Sequence, residues 1–125
     1  MQNLIIEKTK STPDIIFEAA SGVLQIKGES FPENAAKFYT PILQWLRQFL
    51  NNTLNETVFE FEIVYFNSST SKVFMTIFDM LEKEVKKGKR IVVNWRCDQQ
   101  NEIAIECGEE FKEDISDLPF NIIVF

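Results

Sequence analysis

The chain has 125 residues, of which 45% are hydrophobic and 26% charged, and its net charge at pH 7 is −6. This composition predicts one soluble globular domain over residues 1–125, with enough apolar side chains for a core. The absence of histidine excludes Ser-His and Cys-His nucleophile systems, and the acidic balance argues against nucleic acid and membranes as partners. Nothing resembles a signal peptide or a membrane span, so we expect a cytoplasmic protein.

The N-terminal half begins with three strand patterns, in residues 3–9, 14–19 and 23–29. Ala20-Ser21-Gly22 separates the last two and predicts a hairpin. After the loop 29–34, a helix is predicted over 34–51 by one apolar stripe: Phe38, Ile42, Trp45, Leu46 and Phe49. Pro41 either kinks this helix or follows Thr40 as the N-cap of a shorter one, and the pattern favours neither.

The strongest strand pattern is 57–66, in which Phe59, Phe61, Ile63 and Tyr65 alternate onto one face. Its other face runs from Glu60 and Glu62 to Val64 and Phe66, which predicts a strand end buried on both faces. A helix is predicted over 69–87, a strand over 90–95, and a final strand over 119–125. Between the last two strands, a helix over 99–114 carries a stripe of Ile103, Cys107 and Phe111, and Gly108 within it indicates close packing.

The order of these elements alternates strands with helices after an N-terminal hairpin. Such alternation predicts an α/β fold with a mixed β-sheet and three main helices as crossovers. Cys97 and Cys107 do not form a zinc motif without histidine, so we expect free thiols and neither a metal nor a cofactor. The basic cluster 83–90 is interpreted as a complement to a helix dipole.

The junction after the strand 57–66 carries four consecutive hydroxyl side chains, in residues 68–71. One interpretation is helix capping by Asn67 and by Ser68 or Ser69. A second is phosphorylation, because the amides and dipole of a helix start stabilise a phosphate. A phosphate-binding loop is excluded because the turn has no glycine, and Lys72 alone is a weak anion anchor. The residues themselves leave capping and phosphorylation both open.

Several motifs, in their order and spacing, resemble one family. They are KSTPDI, GESFPENAAKFY with ILQWL, VYFNSSTSK, NWRCDQQNEIAIECGEEFKED and PFNI. The chain resembles the SiaC family of regulatory phosphoproteins, relatives of the STAS domains, over nearly its whole length. This resemblance implies a STAS-like fold and a bacterial, non-enzymatic partner-switching protein. The family's acceptor is the hydroxyl residue directly after the asparagine of the strand-exit motif, which here is Ser68, with Ser69 as cap or second choice.

The resemblance also implies the partners. A kinase with a histidine-kinase-like ATP-binding fold would phosphorylate Ser68, and a metal-dependent serine/threonine phosphatase would reverse this. The unphosphorylated protein would bind an effector, by resemblance a diguanylate cyclase, and so act in cyclic-di-GMP and biofilm signalling. The expected contact surface comprises the loop residues Phe31, Pro32, Glu33 and Asn34, and beyond them Asn67, Ser69, Lys72 and Arg96.

Arg96 leaves a neighbouring strand, which would bring it close enough to Ser68 to steady a phosphate. A core tryptophan at 95 followed by a solvated arginine remains the alternative. Two other functions remain open. One is a small nucleotide- or ligand-binding α/β domain, which needs a pocket with convergent polar groups. The other is an unregulated interaction domain, in which Ser68→Ala and Ser68→Asp bind partners equally well.

Overall fold

The computed structural model describes residues 1–53 and 55–125, and within them the chain forms six strands and three helices. In chain order they are β1 (Leu4–Ile6), β2 (Asp14–Glu18), β3 (Val23–Ser30), α1 (Ala35–Asn52), β4 (Thr57–Phe66), α2 (Ser68–Lys86), β5 (Ile91–Cys97), α3 (Glu102–Glu113) and β6 (Phe120–Val124). The predicted α/β fold with an N-terminal hairpin and three helices is confirmed. Within the described ranges, no helix has both the length and the apolar character that a membrane span requires.

The strands form one mixed sheet in sequential order from β1 to β6. The pairs β1–β2 and β2–β3 are antiparallel, whereas β3, β4, β5 and β6 run parallel. Each parallel connection contains one helix. Because such crossovers are right-handed, three that advance in the same direction place their helices on one face of the sheet. The carboxyl ends of β3 to β6 therefore share one border, here called the carboxyl edge.

Burial along β4 shows which face the helices cover. Phe59 and Phe61 are fully buried, whereas Glu60 and Glu62 on the opposite face are half-buried. Phe61 lies at the centre of an aromatic core, with its ring centroid 5.2 Å from that of Phe74 in α2 and 5.8 Å from that of Trp95 in β5. The face that carries Glu60 and Glu62 has no helix on it in the described part of the chain, and we call it the open face.

Helix α1 is continuous through Pro41. Its N-cap is Asn34, whose Oδ1 accepts a hydrogen bond from the backbone N–H of Lys37 at 3.1 Å. The alternative in which Thr40 caps a shorter helix is therefore wrong. Thr40 instead donates its hydroxyl to the carbonyl of Ala36 at 2.6 Å. Pro41 is exposed and lies inside the helix, where its ring removes one backbone hydrogen bond without entering the core.

The end of β4 differs from the predicted alternation because it contains a β-bulge. Gly28 of β3 pairs with Ile63, and the next residue, Glu29, pairs with Tyr65, so Val64 is the extra residue. The insertion turns Phe66 toward the helices, where its ring lies 5.5 Å from that of Phe74. It also leaves both Val64 and Tyr65 more than half exposed. The predictions that Tyr65 shares the face of Phe61 and that the strand end is buried on both faces are wrong.

Helix α3 is shorter than predicted, because Asn101 caps it through a bond from the N–H of Ala104 at 3.1 Å. Ile103, predicted in the core stripe, is 73% exposed because it lies on the outer side of the first turn. The predicted close packing at Gly108 is confirmed. A Cβ atom built there would lie 2.5 Å from Cδ1 of Trp95, which is fully buried.

Candidate functional site at the start of α2

Helix α2 begins at Ser68, directly after its N-cap, Asn67. The Asn67 Oδ1 accepts a hydrogen bond from the backbone N–H of Thr70 at 3.0 Å, and its own N–H donates to the Ser30 carbonyl at 3.1 Å. This geometry corrects the interpretation of Ser69 as a cap, because Asn67 already fills that position. Ser68 and Ser69 are instead the first two helical residues.

The four hydroxyl groups of the junction face different surroundings. Ser68 and Ser69 are exposed, Ser71 is half-buried, and Thr70 is fully buried. Within the described residues, neither the Ser68 nor the Ser69 hydroxyl makes a hydrogen bond. The run is therefore not one functional unit: two hydroxyls are open to solvent, and one belongs to the core.

Thr70 anchors the start of α2 to the end of β3. Its hydroxyl donates to the Ser30 carbonyl at 3.1 Å and lies 2.8 Å from Ser30 Oγ, which in turn lies 2.7 Å from the Tyr39 hydroxyl of α1. Since the Thr70 proton is already committed, Ser30 must donate to Thr70, and Tyr39 must donate to Ser30. Burial raises the pKa of Tyr39 to about 12, so its hydroxyl keeps its proton at neutral pH and the chain of donors stays intact.

The electrostatic environment of Ser68 favours an added negative charge. The first backbone amides of a helix have no acceptor within it, and its dipole places a partial positive charge there. The first turn of α2 contains no acidic residue. Lys72 lies one turn further along and is exposed, at the spacing that lets two side chains on a helix pair.

The loop between β3 and α1 begins beside this junction. Ser30, the last residue of β3, directly precedes the loop, and its carbonyl accepts hydrogen bonds from Asn67 and Thr70. Phe31 is half-buried, and its ring is in edge contact with Tyr65 at 5.8 Å between centroids. Glu33 is exposed, and so is Asn34, which is used as the cap of α1. Pro32 is buried and so offers little surface of its own, and its role as a partner contact stays a prediction.

Arg96 lies on the open face, since the alternation of β5 directs Trp95 toward the helices. Its Nε is 3.3 Å from Glu62 Oε1, and its guanidinium lies 5.4 Å from the centre of the Phe125 ring. Lys27 completes this row, with its Nζ 3.5 Å from the other oxygen of Glu62. The described contacts of Arg96 are therefore with Glu62 and Phe125, and the expected approach to Ser68 is not observed.

Two features of this region had no clear signal in the sequence. Val64 and Tyr65 are exposed because of the bulge in β4. The one local sign of it in the sequence is Gly28 on the paired strand, which adopts a φ of +124° that favours glycine. Ser30 and Tyr39 are far from Thr70 in the chain, so no local pattern links the three. Within residues 1–53 and 55–125, no group of three or more acidic or cysteine side chains is arranged to hold a metal ion.

Comparison with known proteins gives one consistent result. The model of the SiaC family regulatory phosphoproteins matches residues 6–125. An uncharacterized protein of Pseudomonas aeruginosa strain UCBPP-PA14 is 34% identical over 122 residues, which cover 98% of this chain and 96% of that protein. SiaC of Pseudomonas aeruginosa superposes with a TM-score of 0.93 at 32% identity over the whole of both chains. A chain in the crystal structure of diguanylate cyclase SiaD in complex with its activator SiaC, from the same species, gives 0.93 at 34% identity, covering 98% of this chain and 99% of that one.

Proposed function

Because the chain belongs to the SiaC family of regulatory phosphoproteins, we propose that it is a partner-switching protein controlled by reversible phosphorylation of Ser68. In its unphosphorylated form it binds and activates a diguanylate cyclase, and so regulates cyclic-di-GMP and biofilm signalling. The chain itself performs no catalysis. The solved complex of the cyclase SiaD with its activator SiaC supports this choice of effector.

One observation carries the proposal: Ser68 is exposed at the first position of α2 while Asn67 fills the cap. A capping hydroxyl would be hydrogen-bonded to the helix amides, and a buried hydroxyl could not reach the active site of a kinase. The Ser68 hydroxyl is subject to neither restriction. Ser69 is also exposed and remains the second choice.

A phosphate on Ser68 has opposite effects on the free chain and on a complex. It adds about −1.5 to −2 charges beside the positive end of a helix, which the fold tolerates. In an interface, the same dianion must lose its water without a matched cation, which is costly. Phosphorylation therefore releases the effector and leaves the fold unchanged.

The switch requires two enzymes and a contact surface. A kinase with a histidine-kinase-like ATP-binding fold adds the phosphate, and a metal-dependent serine/threonine phosphatase removes it. The contact surface includes Phe31, Glu33 and Asn34 of the loop, together with Asn67, Ser69 and Lys72 around the acceptor.

The acceptor is tested by substitution. We expect Ser68→Ala to abolish phosphorylation in cells, as measured by intact mass and site mapping, and to retain cyclase binding in a pull-down. Ser68→Asp should weaken that binding, although its single charge makes it an incomplete mimic. Ser21→Ala and Ser21→Asp are the matched controls and should change neither property, because Ser21 is an exposed serine in the turn between β2 and β3, outside the proposed contact surface.

The alternatives predict different results. An unregulated interaction domain would bind the cyclase equally well as Ser68→Ala and as Ser68→Asp. A nucleotide- or ligand-binding domain would bind its small molecule in the absence of any protein partner, and its affinity would not depend on the state of Ser68. Phosphate mapped to another residue in the wild-type chain would refute the assignment of Ser68.

A further inference from the structure

Exposed apolar side chains are concentrated at the carboxyl edge. In the described part of the chain, nine large apolar residues are exposed, and five of them lie at this edge: Val64, Tyr65, Ile103, Val124 and Phe125. Burying such side chains in an interface is favourable, and an exposed apolar cluster indicates an interaction surface. The clustering therefore points to a contact area wider than the start of α2.

The cluster contains a groove of about 510 Å³ on the open-face side of the carboxyl edge, with the side chains of Val64 and Phe125 as its apolar walls. Asn101 fixes one wall by donating its Nδ2 hydrogen to the Val64 carbonyl at 3.0 Å. Phe125 is fixed by backbone bonds with Cys97 and Gln99, at 3.0 and 2.8 Å. The groove is thus formed before any partner arrives, which lowers the entropic cost of binding.

The groove is continuous with the surface around Ser68. Val64 is followed by Tyr65, whose ring contacts Phe31 of the loop beside the acceptor. Asn67 and Ser68 come directly after the end of the same strand. A partner that covers Ser68 and Phe31 therefore has an apolar path across Tyr65 to the groove.

The charges around the groove indicate what it accepts. Beside the groove, Glu62 pairs with both Arg96 and Lys27, so this row carries one net positive charge. Asp98 lines the groove and Glu102 begins the helix beside it. Both carboxylates are exposed, and neither forms an ion pair within the described residues. An apolar side chain flanked by lysine or arginine would complement this arrangement.

We infer that the effector's docking surface extends from Ser68 across Tyr65 into the groove between Val64 and Phe125, which takes an apolar side chain flanked by a cationic one on the diguanylate cyclase. This inference rests on the proposed function, since the cyclase is the effector named there. It places the far end of the interface on the open face beside α3, and not along α2.

The decisive variant is Val64→Lys in the unphosphorylated chain, with its affinity for the purified cyclase as the measurement. We expect the dissociation constant to rise at least about tenfold, because a lysine fills the apolar groove and repels the cationic segment. Ile5→Lys is the matched control. Ile5 is 62% exposed, against 58% for Val64, but it lies in β1 at the far border of the sheet. The affinity of the Ile5→Lys protein for the cyclase should therefore stay within about twofold of wild type.

A second pair of variants tests the charge. Glu102→Gln should weaken binding at low salt and lose this effect at about 0.5 M salt, where exposed charges are screened. Glu113→Gln removes the same charge at the other end of α3 and should change nothing. Hydrogen exchange of wild type in the complex should show protection in residues 62–66 and 96–103.

The outcomes separate this inference from the proposed function. If Val64→Lys melts like wild type, binds the cyclase with unchanged affinity and is still released by phosphorylation, the groove is not part of the interface, while the switch stands. If Val64→Lys loses binding but phosphorylation has no effect on wild type, the surface stands and the switch fails. If unphosphorylated wild type binds no cyclase, both are overturned.

Discussion

Thr70 and Ser68 are two residues apart, yet their hydroxyl groups lie in different surroundings. The Thr70 hydroxyl is fully buried and bonded to Ser30, whereas the Ser68 hydroxyl is exposed and makes no bond in the described part of the chain. Because a helix turns by about 100° per residue, adjacent hydroxyls of the first turn of α2 point in different directions. One turn can therefore hold both an anchor to the core and a hydroxyl that is open to solvent.

Replacing Thr70 by valine should destabilise the fold. The substitution keeps the shape but removes the bond to the Ser30 carbonyl and leaves Ser30 Oγ without its acceptor. We expect the free energy of unfolding in urea to fall by about 1–3 kcal/mol. Ser69→Ala, which removes an exposed hydroxyl from the same turn, should change it by less than about 0.5 kcal/mol. Equal effects of the two substitutions would show that the buried chain of hydroxyls contributes nothing.

Tyr39 should make stability depend on pH in the alkaline range. Burial raises its pKa from the ordinary value of 10.0 to about 12 in the fold. The unfolded chain releases this proton first, so the contribution is complete below about pH 10 and is lost as pH rises from there toward about 12. The slope from this one group is at most about 1.4 kcal/mol per pH unit.

The matched variant for this prediction is Tyr39→Phe, which retains the ring but cannot ionise. It should be less stable than wild type at about pH 7, and the difference should shrink as pH rises through the alkaline range. Urea unfolding of both proteins across this range isolates Tyr39, because all other groups titrate in both. A difference that stays constant with pH would contradict the assignment.

At the scale of elements, α3 packs on the sheet through the absence of a side chain. Gly108 leaves room for the indole of Trp95 in β5. The indole nitrogen donates a hydrogen bond to the carbonyl of Ala104, which lies one turn before Gly108 in α3, at 2.9 Å. Because α3 follows the strand that contributes to the groove, its position also determines where Asn101 meets the bulge in β4. The packing at Gly108 therefore helps to hold Asn101 and the proposed docking surface in position.

Gly108→Ala should separate α3 from β5. A methyl group would lie 2.5 Å from the Trp95 ring, so the helix or the indole must move. We expect a loss of about 1–3 kcal/mol in the free energy of unfolding, together with a shift in tryptophan fluorescence. Glu109→Ala, at the exposed neighbouring position, should alter neither property. An unchanged stability of Gly108→Ala would mean that the helix is free to slide.

The elements that can be predicted from the sequence are those set by local periodicity. The stripes of α1 and α2 and the alternation of the first part of β4 depend on neighbouring residues, so the sequence locates them correctly. The bulge at Val64 cannot be predicted, because it is defined by the register with β3. Glu82 gives a similar example: it lies outside the apolar stripe of α2, yet its carboxylate accepts the backbone N–H groups of residues 116–118.

The candidate site divides in the same way. The position of Ser68 at a strand-to-helix junction follows from the pattern, and the structure shows it exposed. That Thr70 is buried follows from contacts with Ser30 and Tyr39, which are distant in the chain. The acceptor role of Ser68 and the partner contacts of Lys72 and Glu33 stay predictions.

At the scale of the whole molecule, the sheet is asymmetric. Its three helices cover one face of the described sheet, and the open face carries the row Lys27, Glu62 and Arg96. The carboxyl edge joins the two sides, with Ser68, the proposed acceptor, on the helix side and the groove on the open side. A partner that docks across this edge would sense the state of Ser68 without any change in the fold.

The central claim is that a phosphate on Ser68 excludes the effector. The most direct measurement is the dissociation constant of the diguanylate cyclase for the chain phosphorylated on Ser68 alone and for the unphosphorylated chain, with melting temperatures of both as a control for folding. The account predicts similar melting and an affinity at least about tenfold weaker for the phosphorylated chain. Equal affinities of the two folded forms would contradict it.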